Sequence, residues 1–265
     1  MTPDNQDRQK LQKDSSECED QARSPQPSPQ QPLQMPPPQL PLSSSEPEEP
    51  EDQEETEEEE EEDSQTPSPR EIRGWGHATI CGLSGTGKTV LAQRMWAILS
   101  MKREAACFFN CAFDDYFPKE NIISRIDETA ARGLHQGAAL VVNCPSYEVK
   151  SNLIKLHDFW MAQPLLPALT IFIDEAHLVA SRGSIRFPEG EKIDQETVIG
   201  YLLATGRHIN IRCVFITPKP QFIDSWVYRA SRYHYIFEVD PADEAWLQSL
   251  GYSFENPTGH DYVVV

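Results

Sequence analysis

Several things are missing from this chain, and each absence excludes a class of protein. No stretch approaches the roughly 20 consecutive apolar residues that cross a bilayer. No basic-then-apolar leader opens the sequence. The expectation is therefore a soluble protein inside a cell or a particle. The six cysteines, Cys18, Cys81, Cys107, Cys111, Cys144 and Cys213, show no paired C-x-x-C spacing. Five of them fall in or beside apolar, strand-like runs, which suits reduced thiols acting as small hydrophobes; a Cys107/Cys111 metal pair is the lesser alternative.

Residues 1–70 lack aromatic side chains altogether and hold 13 of the 22 prolines. They carry 20 acidic and five basic residues, a net of -15 out of the chain's -19, including the unbroken run Glu57 to Glu62. So little apolar surface cannot offset the entropy of ordering a chain, and disorder is expected. The acidic run is either a solubilising tail or an arm that docks partners and imitates nucleic acid. Residues 71–265 carry 22 acidic and 18 basic residues, a net of -4. Their length suits one α/β domain. Their surface is not the broadly basic one of a free DNA binder, although a narrow basic ring inside a pore leaves no mark on net charge. The boundary falls at Arg70 to Gly76, where Trp75 either packs on the domain edge or covers a nucleotide base.

The run Gly82-Leu83-Ser84-Gly85-Thr86-Gly87-Lys88-Thr89 matches G-x-x-x-x-G-K-[ST]. Glycines let the backbone curl so that successive N–H groups point at phosphate oxygens, and the following helix adds the positive end of its dipole. Lys88 is expected to reach the β- and γ-phosphates of ATP, and Thr89 to offer its hydroxyl to Mg²⁺. The context agrees: His77–Cys81 reads as a short buried strand, and Lys88–Leu99 as a helix with apolar residues at helical spacing.

Further strands are expected at Cys107–Cys111, Ala138–Asn143, Leu169–Asp174, Arg212–Thr217 and Tyr235–Val239. Helices are expected near Lys119–Arg132, Tyr147–Met161, Ile193–Ala204, Phe222–Ala230 and Asp243–Leu250. Strands alternating with helices argue for a mainly parallel sheet covered on both faces, with ligands at the carboxyl ends of its strands.

The apolar run ending at Ile173 is followed by Asp174-Glu175-Ala176-His177. Asp174 is placed to hold Mg²⁺, and Glu175 to polarise an attacking water as general base. Adjacent acids favour hydrolysis over mere nucleotide binding, and they make a kinase a poor option. His177 either supports the site or simply opens a helix. The D-E-A-H string also occurs in helicases, but those need two motor domains and this chain supplies one. Downstream, Gly206-Arg207 precedes a strand ending at Thr217. Thr217 is the expected γ-phosphate sensor. Arg207 is either an arginine finger reaching a neighbouring subunit's nucleotide or a surface arginine favoured by a helix end.

In this order, the phosphate-binding loop, F-I-D-E-A-H, and then G-R-H-x-x-I-x-x-x-x-I-T-x-x-P-x-x-I-D, the chain resembles the HerA/FtsK superfamily of DNA-pumping ATPases. The small single domain resembles the genome-packaging ATPases of tailless icosahedral viruses with internal membranes; the Zot-like assembly ATPases of filamentous phages share much of the pattern. The resemblance covers about residues 74–240 and none of the tail. It implies a RecA-like (ASCE) P-loop fold, ATP and Mg²⁺, and a ring, usually a hexamer, around double-stranded DNA. It also implies sites shared between subunits, capsid or vertex partners, and a place in the virion or host cytoplasm. One position departs from the pattern. The family often ends the sensor strand in Thr-Gln, whereas Thr217 is followed by Pro218, which has neither an N–H nor a polar side chain. The segment Ser181–Lys192 either lines the pore, with Arg182 and Arg186 on DNA phosphates, or is a solvated loop.

Two other functions fit parts of the sequence. A Zot-type assembly ATPase usually carries a membrane span after its ATPase domain, and the run ending in Asp261-Tyr262-Val263-Val264-Val265 is too short for one. A nucleotide-gated adaptor would use the acidic tail to bind a capsid and would hydrolyse slowly.

Overall fold

The computed structural model describes residues 76–265 apart from Asp114 and Glu191. The expected tail over residues 1–70, and Trp75, lie outside the described residues. In chain order the elements are β1 (His77–Cys81), α1 (Lys88–Met101), β2 (Ala105–Asn110), β3 (Ile122–Ile123), α2 (Glu128–His135), β4 (Ala139–Asn143), α3 (Ser146–Met161) and β5 (Leu169–Ile173). There follow α4 (Ala176–Val179), α5 (Val198–Thr205), β6 (Ile211–Thr217), α6 (Ser225–Ala230), β7 (Ser231–Phe237), α7 (Pro241–Ser249) and β8 (Tyr262–Val264).

The eight strands form one sheet in the order β3-β4-β2-β5-β6-β1-β7-β8. Every pairing is parallel except β7 with β8. The central strands β1, β2, β5 and β6 are buried along almost their whole length because both faces are covered. In β5, Leu169, Ile171 and Ile173 point into one core and Phe172 into the other. Leu91, Ala92, Met95, Trp96 and Leu99 of α1 cover the second face. The opposite face takes apolar residues from α2, α3, α5, α6 and α7.

Three expected helices begin later than the sequence pattern suggests; the one expected from Phe222 starts at Ser225, after a 3₁₀ turn over Pro220–Phe222. Lys119 to Asn121 is a single 3₁₀ turn leading into the short edge strand β3. Helix α2 starts only after Asp127, whose carboxylate accepts the Ala130 N–H at 2.9 Å. A side-chain cap of this kind fixes a helix start more firmly than apolar spacing does. In the same way Asp194 accepts N–H groups from Glu196 and Thr197, both at 3.0 Å, and this local turn delays α5 until Val198. Strand β7 begins four residues before the expected Tyr235, and β8 was not expected at all.

Five described cysteines are free thiols. Burial pushes the thiols of Cys81, Cys111 and Cys213 up to about 12 and that of Cys144 to about 11. They are inert at neutral pH, as expected of small core residues. Among the described residues no group of three or more His, Cys, Asp or Glu side chains is arranged to hold a metal. No helix there is long and apolar enough to cross a membrane.

Two buried histidines set a pH dependence. His77 opens β1, and its Nδ1 accepts the Cys213 N–H at 3.0 Å. His234 of β7 places Nδ1 2.8 Å from Thr79 Oγ1. Burial pushes both imidazoles down from 6.5 to about 4. The unfolded chain therefore takes up protons first as the pH falls. Stability from these groups is complete above pH 6.5 and is lost progressively between 6.5 and 4, by ~3 kcal/mol for each histidine. Denaturant midpoints measured between pH 7.5 and 4 should fall through this window; a flat profile contradicts the assignment.

Candidate active site

Strands β5, β6 and β1 are neighbours running in one direction, with Ile173 level with Phe215 and Thr217 level with Cys81. Their carboxyl ends therefore open on the same edge of the sheet, the edge where parallel sheets bind ligands. The Gly82–Thr89 run leaves β1 there. Gly82, Gly85 and Gly87 take φ values of 146°, 85° and 103°, which other residues adopt only at a cost. A Cβ on Gly82 would also lie 2.6 Å from Phe237 Cβ. The Leu83 N–H donates to the Glu238 carbonyl at 2.7 Å and ties the loop to the chain beyond β7.

The loop closes on the Leu83 carbonyl, which accepts the Thr86 hydroxyl at 2.8 Å and the Lys88 ammonium at 2.6 Å. Ser84 and Gly85 are exposed at its tip. Lys88 is only 7 % exposed. Burial pushes its ammonium below the usual lysine value, while the carboxylates of Glu175 and Asp174 pull the other way. The phosphate loop and the acid pair thus share one electrostatic field.

Asp174 follows β5 and is 4 % exposed. Its N–H donates to the Phe109 carbonyl at 3.1 Å, and its Oδ1 accepts the Glu175 N–H at 3.0 Å. Glu175 sits at φ 48° and ψ 42°, a left-handed conformation unusual for a residue with a side chain. That turn breaks the strand and starts α4. His177 Nδ1 lies 3.4 Å from Glu175 Oε2 without hydrogen-bond geometry.

The residues present fit a divalent cation. Thr89 offers a hydroxyl on the first turn of α1, and Asp174 a carboxylate at the nearby strand end, two hard oxygen donors of the kind Mg²⁺ takes. So few protein ligands suit a cation completed by phosphate and water rather than by an all-protein cage.

Thr217 ends β6 beside the loop strand but is fully buried. Its hydroxyl accepts the Lys219 N–H at 3.2 Å and donates to the Lys219 carbonyl at 3.3 Å, wrapping around Pro218. Lys219 in turn reaches Asp240 at 2.8 Å. Arg207 lies elsewhere. It is exposed in the turn between α5 and β6, at the amino end of the same strand. The seven residues of β6 rise about 20 Å, which keeps Arg207 from the phosphate loop of its own chain. Gly206 is needed where this turn closes, because a Cβ there would lie 2.5 Å from the Ile211 carbonyl and 2.9 Å from the His77 ring.

Beyond α4 the chain is pinned against the 3₁₀ turn Pro220–Phe222 and the residues after it. Ser181 bridges Ile223, and the Arg182 N–H donates to the Phe222 carbonyl at 2.8 Å. Arg182 and Arg186 are exposed on this segment. Phe187 meets Trp226 edge to face with ring centres 5.2 Å apart, and the Arg229 guanidinium lies 5.9 Å from the Trp226 ring.

A cleft of about 570 Å³ runs from Gly85, Gly87, Lys88 and Thr89 along the exposed side of α1 to Arg94. Tyr116, Phe237, His260 and Tyr262 also line it. None of these four belongs to a motif. They meet only because β8 folds back on β7 and because the connection after β2 is anchored by Phe117, packed on Trp96 and Phe108.

A phosphate-binding loop on a mostly parallel sheet, with an acid pair on the next strand but one, defines a RecA-like P-loop NTPase fold. Among solved structures the chain is similar to the genome-packaging NTPase B204 of Sulfolobus turreted icosahedral virus 2. In its sulfate complex the TM-score is 0.53 at 12 % identity, covering 71 % of this chain and 90 % of that one. In its ATP-γS complex the TM-score is 0.52 at 12 % identity, covering 71 % and 91 %. The N-terminal domain of zonular occludens toxin from Neisseria meningitidis matches more loosely, with a TM-score of 0.32 at 20 % identity over 60 % of this chain and 75 % of that one. At these identities what is shared is the fold. No protein-family model matches the sequence, and no curated protein does.

Proposed function

We propose that this protein is an ATP-hydrolysing DNA translocase that packages a viral genome into a preformed capsid. It works as a homo-oligomeric ring, a hexamer, whose sites are shared between subunits. The observation that carries the reading is the division of the machinery between two edges of one sheet. Lys88, Thr89, Asp174 and Glu175 gather at one edge, while Arg207 stands exposed at the other, available to a neighbouring copy. The fold shared with B204 supports the packaging role.

In this reading Lys88 leaves the Leu83 carbonyl for the β- and γ-phosphate oxygens of ATP. Thr89 and Asp174 would hold Mg²⁺, which neutralises phosphate charge when bound. Glu175 takes a proton from water as the water oxygen bonds to the γ-phosphorus, and the bond from that phosphorus to the bridging oxygen breaks to release ADP. Thr217 and the turn it closes report the γ-phosphate to Lys219 and the Pro220–Phe222 segment. Arg182 and Arg186 contact the DNA backbone. Capsid or vertex proteins are the further partners, in the virion or the host cytoplasm.

Steady-state ATP turnover of the full chain, with and without double-stranded DNA, tests this. Turnover should rise several-fold with DNA and vanish in Lys88→Ala. Hydrolysis that survives Lys88→Ala, or that ignores DNA at every length, sinks the proposal.

A further inference from the structure

The cleft is larger and more aromatic at one end than a triphosphate requires. Next to the loop it is polar, with Lys88 and Thr89; further on it is walled by Phe237, His260 and Tyr262. We infer that this wall is a nucleobase subsite, and that the segment Glu255–Val264 completes the nucleotide pocket. The inference rests on the proposed binding of a nucleoside triphosphate and names the part of the site that takes its base.

The wall is built, not incidental. Strand β8 pairs antiparallel with β7 and puts Tyr262 level with Phe237, their rings 5.1 Å apart. Tyr262 also packs on Tyr235 at 5.9 Å. Phe237 is buried beneath, against the underside of the phosphate loop, with its ring 3.5 Å from the Cβ position of Gly87. His260 Nδ1 lies 3.7 Å from that same position. The Gly259 N–H donates to Glu238 Oε2 at 3.2 Å, on the residue whose carbonyl anchors Leu83. One short stretch of chain therefore fixes both the phosphate loop and the aromatic wall, so a base and its phosphates are positioned by the same contacts.

The exposed rim of the wall is the informative part. His260 is exposed. Tyr116 lines the same cleft from the chain after β2 and is 73 % exposed. Flat rings left in water at the mouth of a cleft suit a flat, π-faced ligand, and stacking on a base does not depend on its sequence of donors and acceptors. The wall should hold adenine and guanine with little discrimination.

The test is calorimetric titration of the full chain with ATP and with inorganic tripolyphosphate, for wild type, His260→Ala and Tyr116→Ala. Both side chains are exposed, so neither variant removes core packing. The wild type should bind ATP at least tenfold more tightly than tripolyphosphate. His260→Ala should weaken ATP about tenfold while leaving tripolyphosphate within twofold, and Tyr116→Ala should act in the same direction more weakly. ATP affinity unchanged in both variants overturns the base subsite, as does an equal loss for both ligands in His260→Ala. Failure of the wild type to bind either ligand overturns the nucleotide-binding reading itself, and the subsite with it.

Discussion

Glu175→Gln should bind ATP as tightly as the parent chain and turn it over about 10²–10⁴-fold more slowly. The substitution keeps the volume of the side chain and its place on the left-handed turn after β5. What it removes is the capacity to accept a proton. Lys88, Thr89 and Asp174 remain, so the phosphates stay bound while water goes unactivated. The neighbouring acid cannot take over, because Asp174 is almost fully buried and already accepts the Glu175 N–H. Single-turnover hydrolysis measured beside a binding isotherm checks both halves. Turnover within tenfold of the parent would show that another group takes the proton.

Arg207→Ala should cost about 10³-fold in turnover if its guanidinium completes a neighbour's site, while leaving the fold intact, since its side chain is exposed. A simple loss does not separate a direct role from an indirect one, but mixing does. Lys88→Ala and Arg207→Ala subunits are each inactive alone. In a mixed ring some interfaces join an intact phosphate loop to an intact Arg207, and part of the activity returns. If the two residues acted within one chain, no mixture would contain a complete site. A mixture that stays inactive therefore removes the shared-site model.

Much of this was legible in the sequence because the relevant signals are local. The phosphate loop needs glycines at fixed offsets, and the strand before Asp174 is a largely apolar run, so the expected bounds of β1, α1, β4, β5 and β6 agree with the structure to within two residues. The illegible parts depend on distant contacts. Two residues suffice for β3 only because β4 lies beside them. Tyr262, Val263 and Val264 have no periodicity to display and become a strand only through β7. The aromatic wall of the cleft followed from that pairing and could not precede it. At Thr217 the sequence gives the right strand end, but the hydroxyl's engagement with Lys219 comes from the backbone turn that Pro218 imposes.

The position of β1 within the sheet bears on how the protein is made. Its partners are β6 and β7: His77 is bonded to Cys213, 136 residues along the chain, and Thr79 meets His234, 155 residues along. Neither edge of the strand carrying the phosphate loop can pair without β6 and β7, which lie far along the chain. Contacts this far apart in sequence form late. The sheet around the phosphate loop is therefore closed late in folding, when β6 and β7 join β1.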